Sequence, residues 1–332
     1  MGSFAILGAT SWGLGLGWVL AGNGHAVRVL VRTPAEASDV QTRRGIARMP
    51  ELRLPETVSI VTQDALPTAG EGLVVALPVQ RLAAGLSAVP SWCGAPLLIA
   101  SKGIELSTGA RPSEIAVRAG WAVERIAVLS GPNLSREVVR GLPAASVVAS
   151  HSESTAEWWQ RAFSGHAFRV YRAWDVPGVE LAGAMKNVIA IAAGVAWGLG
   201  FGANTVASLL TRGLAEMARV GTAMGADAGT YLGLAGVGDL AATCFSPLSR
   251  NRRFGELLAA GHTPATAAAT IGETVEGRTT APIVLELAAR HGVEAPITAA
   301  VCSVLDGSAD IPRAMASLLS RGLTSEGPAT PR

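Results

Sequence analysis

Between Glu180 and Arg212 the chain carries a single charge, Lys186, inside the run Leu181-Ala-Gly-Ala-Met-Lys-Asn-Val-Ile-Ala-Ile-Ala-Ala-Gly. A lone ammonium among small apolar side chains loses hydration, so it must lower its pKa or find a carboxylate. Both outcomes suit a proton donor in an active site. The competing reading is a lysine whose head reaches water from a helix edge. Further along, Gly236-Val-Gly-Asp239-Leu sets a carboxylate in an apolar stretch, and a buried aspartate needs a cation. Lys186 and Asp239 together suggest an oriented ammonium that stabilises and protonates an oxygen on which negative charge grows.

Other clusters supply binding chemistry. Ile6-Leu-Gly8-Ala-Thr10-Ser11-Trp12-Gly13 lies between the first strand and the helix that follows. In a dinucleotide fold, glycines here permit a tight turn and close strand–helix packing, and the helix N-terminus meets a pyrophosphate. Thr10 stands where the GxGxxG pattern has its middle glycine. About twenty residues on, where an acid would hold a ribose 2′-hydroxyl, the second strand ends in Arg32, which suits a 2′-phosphate. NADPH is therefore the favoured cofactor, with NADH admitted.

Two strand ends, Ser101-Lys102-Gly103 and Ser130-Gly131-Pro132-Asn133, lie at the carboxyl edge where open α/β sheets bind ligands. They offer an ammonium, backbone N–H groups and an amide to an anion or a hydroxyl. In Ser249-Arg250-Asn251-Arg252-Arg253, Arg250 and Asn251 offer a guanidinium fork and an amide suited to a phosphate, while a solvated helix start is the better reading of Arg253 and the worse one of Arg250. In Glu273-Thr-Val-Glu276-Gly277 a carboxylate could turn toward a nicotinamide amide, or mark only a surface turn.

The elements that must position these residues fall into two kinds. Short aliphatic runs at Phe4–Leu7, Val27–Val31, Val58–Val61, Leu73–Leu77, Leu97–Ala100, Ile126–Leu129, Ser146–Ala149 and Phe168–Tyr171 alternate with helical stretches, the pattern of a doubly wound, mostly parallel Rossmann sheet. After Trp174-Asp-Val-Pro-Gly the chain changes to Ala, Gly, Leu and Met at helical spacing. Helices are expected over Glu180–Trp197, Asn204–Met224, Ala228–Ala235, Arg250–Ala260, Ala281–His291 and Ile297–Leu305. The expected organisation is a dinucleotide-binding domain over 1–177, an all-α substrate and catalytic domain over 178–321, and a frayed tail over 322–332.

Composition excludes several classes. With 332 residues, 49% hydrophobic and 16% charged, the chain can build two cores. A formal charge of +2 without a basic, aromatic-interleaved run argues against nucleic acid. Cys93, Cys244 and Cys302 are too far apart for CxxC pairing, so neither a disulfide framework nor a metal site is implied. The start of the chain lacks a secretory pattern, and cytoplasmic residence is expected. Leu181–Leu210 is apolar enough to resemble a membrane span, but Lys186, Asn187, Asn204 and a glycine-dense segment argue against one, so no integral membrane segment is expected.

Taken in order, the motifs resemble the bacterial NAD(P)-dependent glycerol-3-phosphate dehydrogenases. The likeness runs from the first strand almost to the C-terminus, through Ser101-Lys-Gly, Ser130-Gly-Pro, Gly141-Leu-Pro, Lys186-Asn-Val-Ile-Ala-Ile, Gly200-Phe-Gly-Ala-Asn204, Thr211-Arg-Gly-Leu-Ala-Glu-Met217, Gly238-Asp-Leu, Ser249-Arg-Asn-Arg-Arg-Phe-Gly255 and Val275-Glu-Gly277. The resemblance implies a Rossmann domain followed by a helical domain of the 6-phosphogluconate dehydrogenase C-terminal type. It also implies reversible reduction of dihydroxyacetone phosphate to sn-glycerol 3-phosphate for glycerophospholipid synthesis, in a homodimer. In that family the lysine matching Lys186 transfers the proton, beside Asp239 and Lys102. Lys102, Gly131, Asn133, Lys186, Asp239, Ser249, Arg250 and Asn251 match positions that contact the small phosphorylated substrate. Ser11, Trp12, Arg32, Lys102, Ser135, Arg250 and Glu276 match positions facing the cofactor, joining Gly8, Thr10 and Gly13 of the turn. Two readings compete. Asn133 and Leu134 depart from the family's usual Ser or Thr and Phe, which would suit a related phosphorylated or phosphonylated hydroxyketone. Thr10 in place of glycine would suit a dinucleotide-binding protein without catalysis.

Overall fold

A computed structural model describes residues 2–62, 65 and 70–322. Eight strands form one sheet: β1 Ser3–Leu7, β2 Ala26–Leu30, β3 Val58–Val61, β4 Gly72–Val75, β5 Leu97–Ile99, β6 Ile126–Ser130, β7 Ala144–Ser150 and β8 Phe168–Ala173. Their order is β3-β2-β1-β4-β5-β6-β7-β8. The first six run parallel, β7 pairs antiparallel with β6, and β8 runs parallel to β7 at the edge. The near-continuous aliphatic sequences of the inner strands follow from burial on both faces. Six helices accompany the sheet: α1 Ser11–Gly22, α2 Pro34–Arg43, α3 Leu82–Ser87, α4 Pro112–Arg118, α5 Ser135–Val138 and α6 Glu153–Phe163. Only the four-residue α5 joins β6 to β7, too short a helix to carry the chain back along the sheet, so β7 returns antiparallel.

The remainder is helical: α7 Val176–Gly198, α8 Ala203–Ala223, α9 Asp239–Phe245, α10 Arg250–Ala259, α11 Pro264–Ile271, α12 Glu276–Arg290, α13 Pro296–Leu305 and α14 Ile311–Leu319. Helix α7 has the length and hydropathy of a membrane span, yet 89% of that window is buried inside the protein. It is the hub of the helical half, packed by α8, α9, α10, α12 and α13. Its small residues permit this. A Cβ on Gly194 would lie 2.0 Å from the Arg252 carbonyl oxygen, and one on Gly255 of α10 would lie 2.1 Å from that of Ile191, so the two helices touch backbone to backbone.

All eight expected strands are present, whereas the helical half departs from expectation in five places. Ala228–Ala235 is not one helix: a 3-10 turn over Ala228–Leu232 breaks at Gly233, and a π-helical turn over Leu234–Gly238 then leads directly into α9. Gly233, Gly236 and Gly238 are weak helix formers, which lets the chain change winding here. Helix α12 begins at Glu276 rather than Ala281 and holds Pro282 in its interior, where sequence alone suggests a helix start. Helices α9, α11 and α14 are not anticipated, being short, Ala-rich or close to the C-terminus. Of the tail expected over 322–332, all but Gly322 lies outside the described residues.

One buried carboxylate ties α7 to the sheet half. Glu180 accepts from Arg111 Nη1 at 3.0 Å, from the Ser113 N–H at 2.6 Å and from the Ser113 hydroxyl at 2.7 Å, clamping the start of α4. Burial pushes its carboxyl up to about 7, against the opposing effects of Arg111 and Ser113. An acid whose folded pKa lies above its ordinary value of 4.5 favours folding when protonated, and that advantage fades as pH rises from 4.5 through about 7. Across that window wild type should lose about 3 kcal/mol of stability relative to Glu180→Gln, flattening above it. Paired urea titrations over the range measure this, and parallel pH profiles for the two proteins would refute it.

Candidate active site

The turn between β1 and α1 fits a dinucleotide. Gly8 has φ +114°, a left-handed value that a side chain disfavours, and a Cβ on Gly13 would lie 2.1 Å from the Gly8 carbonyl oxygen. The outer two glycines of the motif thus do the work expected of them. Thr10, in place of the middle one, adopts an extended backbone and folds its side chain inward. Its hydroxyl donates to the Ala76 carbonyl at 2.9 Å and accepts from the Gly13 N–H at 2.9 Å. It therefore caps α1 and ties the turn to the end of β4, while the Ser11 and Trp12 amides of the first turn lack intrahelical acceptors and remain for an anion.

The core of the site lies where three elements converge. Lys186, midway along α7, donates to Asp239 Oδ1 at 2.8 Å and to the Thr243 hydroxyl at 2.8 Å. Lys102, just beyond β5, donates to Asp239 Oδ2 at 2.5 Å. The Lys186 and Asp239 side chains are only 10% and 3% exposed, which removes the reading of Lys186 as a solvated edge lysine. Burial pushes the Lys186 ammonium below its ordinary value, Asp239 opposes that shift, and Lys102 adds to it. Burial also opposes ionisation of Asp239, but Lys102 and Lys186 outweigh it and hold the carboxyl below the usual carboxylate range. Asp239 begins α9 directly after the π-helical turn, and Thr243 follows one turn later on the same face.

A second network runs beside the first. Asn187 donates to Glu276 Oε2 at 3.0 Å, Asn251 donates to Asn187 Oδ1 at 2.8 Å, and the Gly277 N–H donates to Asn251 Oδ1 at 3.0 Å. Ser249 caps α10 by accepting from the Arg252 N–H. Arg250, 40% exposed, pairs with Glu273 at 3.1 Å. The same Glu273 oxygen lies 3.6 Å from Arg48, which donates to Ser11 Oγ at 3.1 Å and to the Ala9 carbonyl at 3.2 Å. Glu273 thus joins the α10 arginine to the nucleotide turn.

The structure brings most of the expected residues together. Ser135 packs against α1, and the Trp12 ring lies 6.5 Å from Phe168. Gly131, at φ +142°, lies where a Cβ would come 3.0 Å from the Ala145 carbonyl oxygen. Two residues sit differently from the rest. Asn133 turns its amide onto β7, donating to the Ala145 carbonyl at 3.0 Å and accepting from Ser146 Oγ at 2.5 Å, so its carbonyl oxygen is already engaged. Arg32 stands apart at the end of β2, 76% exposed on its side chain, with Glu36 at 3.5 Å. Sequence reasoning missed Thr243 and Arg48, and quoted Glu273 and Asn187 without assigning either its part in these networks. Thr243 was reachable, since it follows Asp239 at i+4 once a helix is drawn there; Arg48 and Glu273 meet only through the fold.

A nucleotide turn at the head of a 3-2-1-4-5-6 parallel sheet, facing a buried lysine–aspartate pair from a helical half, defines a dinucleotide-dependent dehydrogenase. The models for the N-terminus and the C-terminus of NAD-dependent glycerol-3-phosphate dehydrogenase match residues 3–156 and 175–316, and the chain belongs to this family. It is 45% identical over 328 residues to a glycerol-3-phosphate dehydrogenase [NAD(P)+] of Corynebacterium jeikeium, covering 97% of this chain and 99% of the relative. It is 44% identical to one from Streptomyces coelicolor, covering 97% of each. The crystal structure of glycerol-3-phosphate dehydrogenase from Coxiella burnetii superimposes with TM-score 0.89 at 33% identity, covering 96% of this chain and 99% of that one.

Asp239→Asn would leave two buried or half-buried ammonium groups without their carboxylate. It should destabilise the protein by about 3–5 kcal/mol, read from the denaturant midpoint. Unchanged stability would show that the pair contributes nothing to folding.

Proposed function

We propose that this chain catalyses the reversible reduction of dihydroxyacetone phosphate to sn-glycerol 3-phosphate with NADPH or NADH, supplying the backbone of glycerophospholipids. The observation that carries the reading is the buried Lys186–Asp239 pair, joined by Lys102 from the sheet edge. In this reading residues 1–177 hold the dinucleotide and 178–321 supply the substrate and proton-transfer groups, in a cytoplasmic homodimer.

The dinucleotide, when bound, supplies the hydride. Gly8, Thr10, Ser11, Trp12 and Gly13 shape its pyrophosphate site, with Ser135, Arg250 and Glu276 toward the rest of the molecule. Arg32 is exposed and free to swing onto a 2′-phosphate, which favours NADPH, while Glu36 beside it leaves NADH acceptable. Arg250 and Asn251 take the substrate phosphate, and Ser249 and Gly131 line its path. The Asn133 amide, one of whose N–H groups is on Ala145, keeps a second donor for the ligand. With the phosphate fixed, the ketone oxygen is set beside Lys186 and Lys102, so binding energy from the non-reacting end orients the reacting one. As charge grows on that oxygen, Lys186 stabilises it and delivers a proton from Nζ. A lowered pKa helps the ammonium release that proton, and Asp239 and Thr243 hold Nζ in place meanwhile. The inward-folded Thr10 supports a working cofactor site over the reading of a protein without catalysis.

Following NADPH absorbance with dihydroxyacetone phosphate tests the reading directly; binding without turnover, or turnover only of a related ketone, would replace it. Lys186→Ala should leave cofactor affinity near normal and cut kcat by about 10²–10⁴-fold. Near-normal turnover would remove the assignment. Arg250→Gln should raise KM for the phosphorylated substrate about tenfold or more through loss of a charge-assisted contact. An unchanged KM would count against its phosphate role.

A further inference from the structure

Ser130 ends β6 and is 3% exposed. Its hydroxyl is buried and has no hydrogen-bond partner among the described residues. Burying an unpaired hydroxyl costs about 1–3 kcal/mol, so a native fold keeps one where a ligand or ordered water will satisfy it. Its direction is fixed by strand alternation. Ile126 and Val128 pack into the cluster that contains α7, whereas Ala127 and Leu129 pack on the opposite face. Ser130 continues the Ile126–Val128 side, toward α7.

What it faces there is the active site. A Cβ built on Gly183 of α7 would lie 3.1 Å from Ser130 Oγ and 3.6 Å from both Cγ and Cδ of Lys102. The hydroxyl therefore sits beside the Lys102 stem, at a point where α7 carries no side chain. Gly183 lies one helical turn before Lys186 and Asn187. Asn187 lies on the same face as Gly183, donating to its carbonyl at 3.3 Å, and holds Asn251, the neighbour of Arg250. Ser130 and the Lys102 stem thus meet α7 at Gly183, the Lys102 head joins Lys186 on Asp239, and Asn187 leads on to Asn251 and Arg250.

These groups can together engage the two ends and the carbonyl of a three-carbon phosphorylated ketone. A phosphate at Arg250 and Asn251 and a carbonyl at Lys186 leave the unphosphorylated carbon at Ser130. Resting on the reading of the site given above, we propose that Ser130 is a specificity residue whose side chain hydrogen-bonds the free hydroxymethyl group of the substrate. A hydroxyl serves as both donor and acceptor, which suits an alcohol partner, and an unpaired one discriminates against an analogue that carries a methyl group instead.

The test compares dihydroxyacetone phosphate with hydroxyacetone phosphate, in which methyl replaces hydroxymethyl, for wild type and Ser130→Ala. Wild type should prefer the first ketone in kcat/KM by about tenfold or more, and the variant should lose about tenfold on it while keeping hydroxyacetone phosphate within about twofold. The Kd for NADPH should not move, and Tm should hold or rise, because the substitution removes an unpaired buried group. Equal losses on both ketones, weaker NADPH binding, a lowered Tm marking a structural hydroxyl, or an unchanged preference would each overturn the proposal. Near-equal use of the two ketones by wild type would also overturn it without any variant. Wild type inert toward both would instead sink the reading of the site itself.

Discussion

One carboxylate shared by two ammonium groups governs this molecule. Asp239 takes Lys186 on one oxygen and Lys102 on the other, and both contacts are too buried for water to substitute. Desolvating any of the three alone would cost several kcal/mol, so none is tolerable without the others. Lys102 comes from the end of a parallel strand and Lys186 from the middle of the longest helix. The site can therefore exist only when sheet and helical half are docked, and folding of the enzyme and assembly of its chemistry are one event. The trio carries a net positive charge in a dry place, a standing invitation to an oxygen on which negative charge develops.

The architecture around α7 follows from that requirement. A helix carrying a buried lysine must be enclosed on all sides: Gly183 leaves room for the Ser130 and Lys102 side chains from the sheet edge, and Gly194 with the facing Gly255 lets α10 approach to backbone contact. Asp239 must arrive with its carboxylate aimed at that helix. It does so at the junction of a π-helical turn and α9, and an extra residue in a turn rotates everything downstream. The less favourable winding is offset by the charge pairing it permits. The Glu180 clamp on α4 fastens the two halves a second time, on the same helix, two turns upstream of Lys186.

The sequence made the sheet plain, because the strands are short runs rich in aliphatic residues, several ending in Gly, Pro, Ser or Thr, and burial of the inner ones on both faces admits little else. Lys186 and Asp239 could be paired by the same logic, as isolated charges in apolar runs with no other place to go. What could not be read was winding and distance. The residues from Ala228 to Gly238 have the composition of a helix, and only packing decides between a continuous helix and two broken turns. Arg48 and Glu273 look like surface charges anywhere in the chain; nothing local says that they meet at the nucleotide turn. Thr10 looked like a defect in a glycine motif, and its side chain proves to supply the cap that the turn needs.

Charge explains how a nearly neutral chain can receive a dianion. Lys102 and Lys186 meet at Asp239 and Arg48 and Arg250 meet at Glu273, with Glu276 on Asn187 beside them, so the local excess of positive charge is small. Of these carboxylates only Asp239 is deeply buried in ion pairs; Glu273 is a third exposed and holds its two arginines at the rim. A buried pair keeps its strength in salt, whereas a rim pair is screened and exchanges partners at little cost. In the proposed reading an arriving phosphate competes with Glu273 for Arg250 without disturbing Asp239. On that reading the site is adaptable where the ligand's charge would be bound and rigid where its carbonyl would react, and that division arises from burial more than from the identity of the groups.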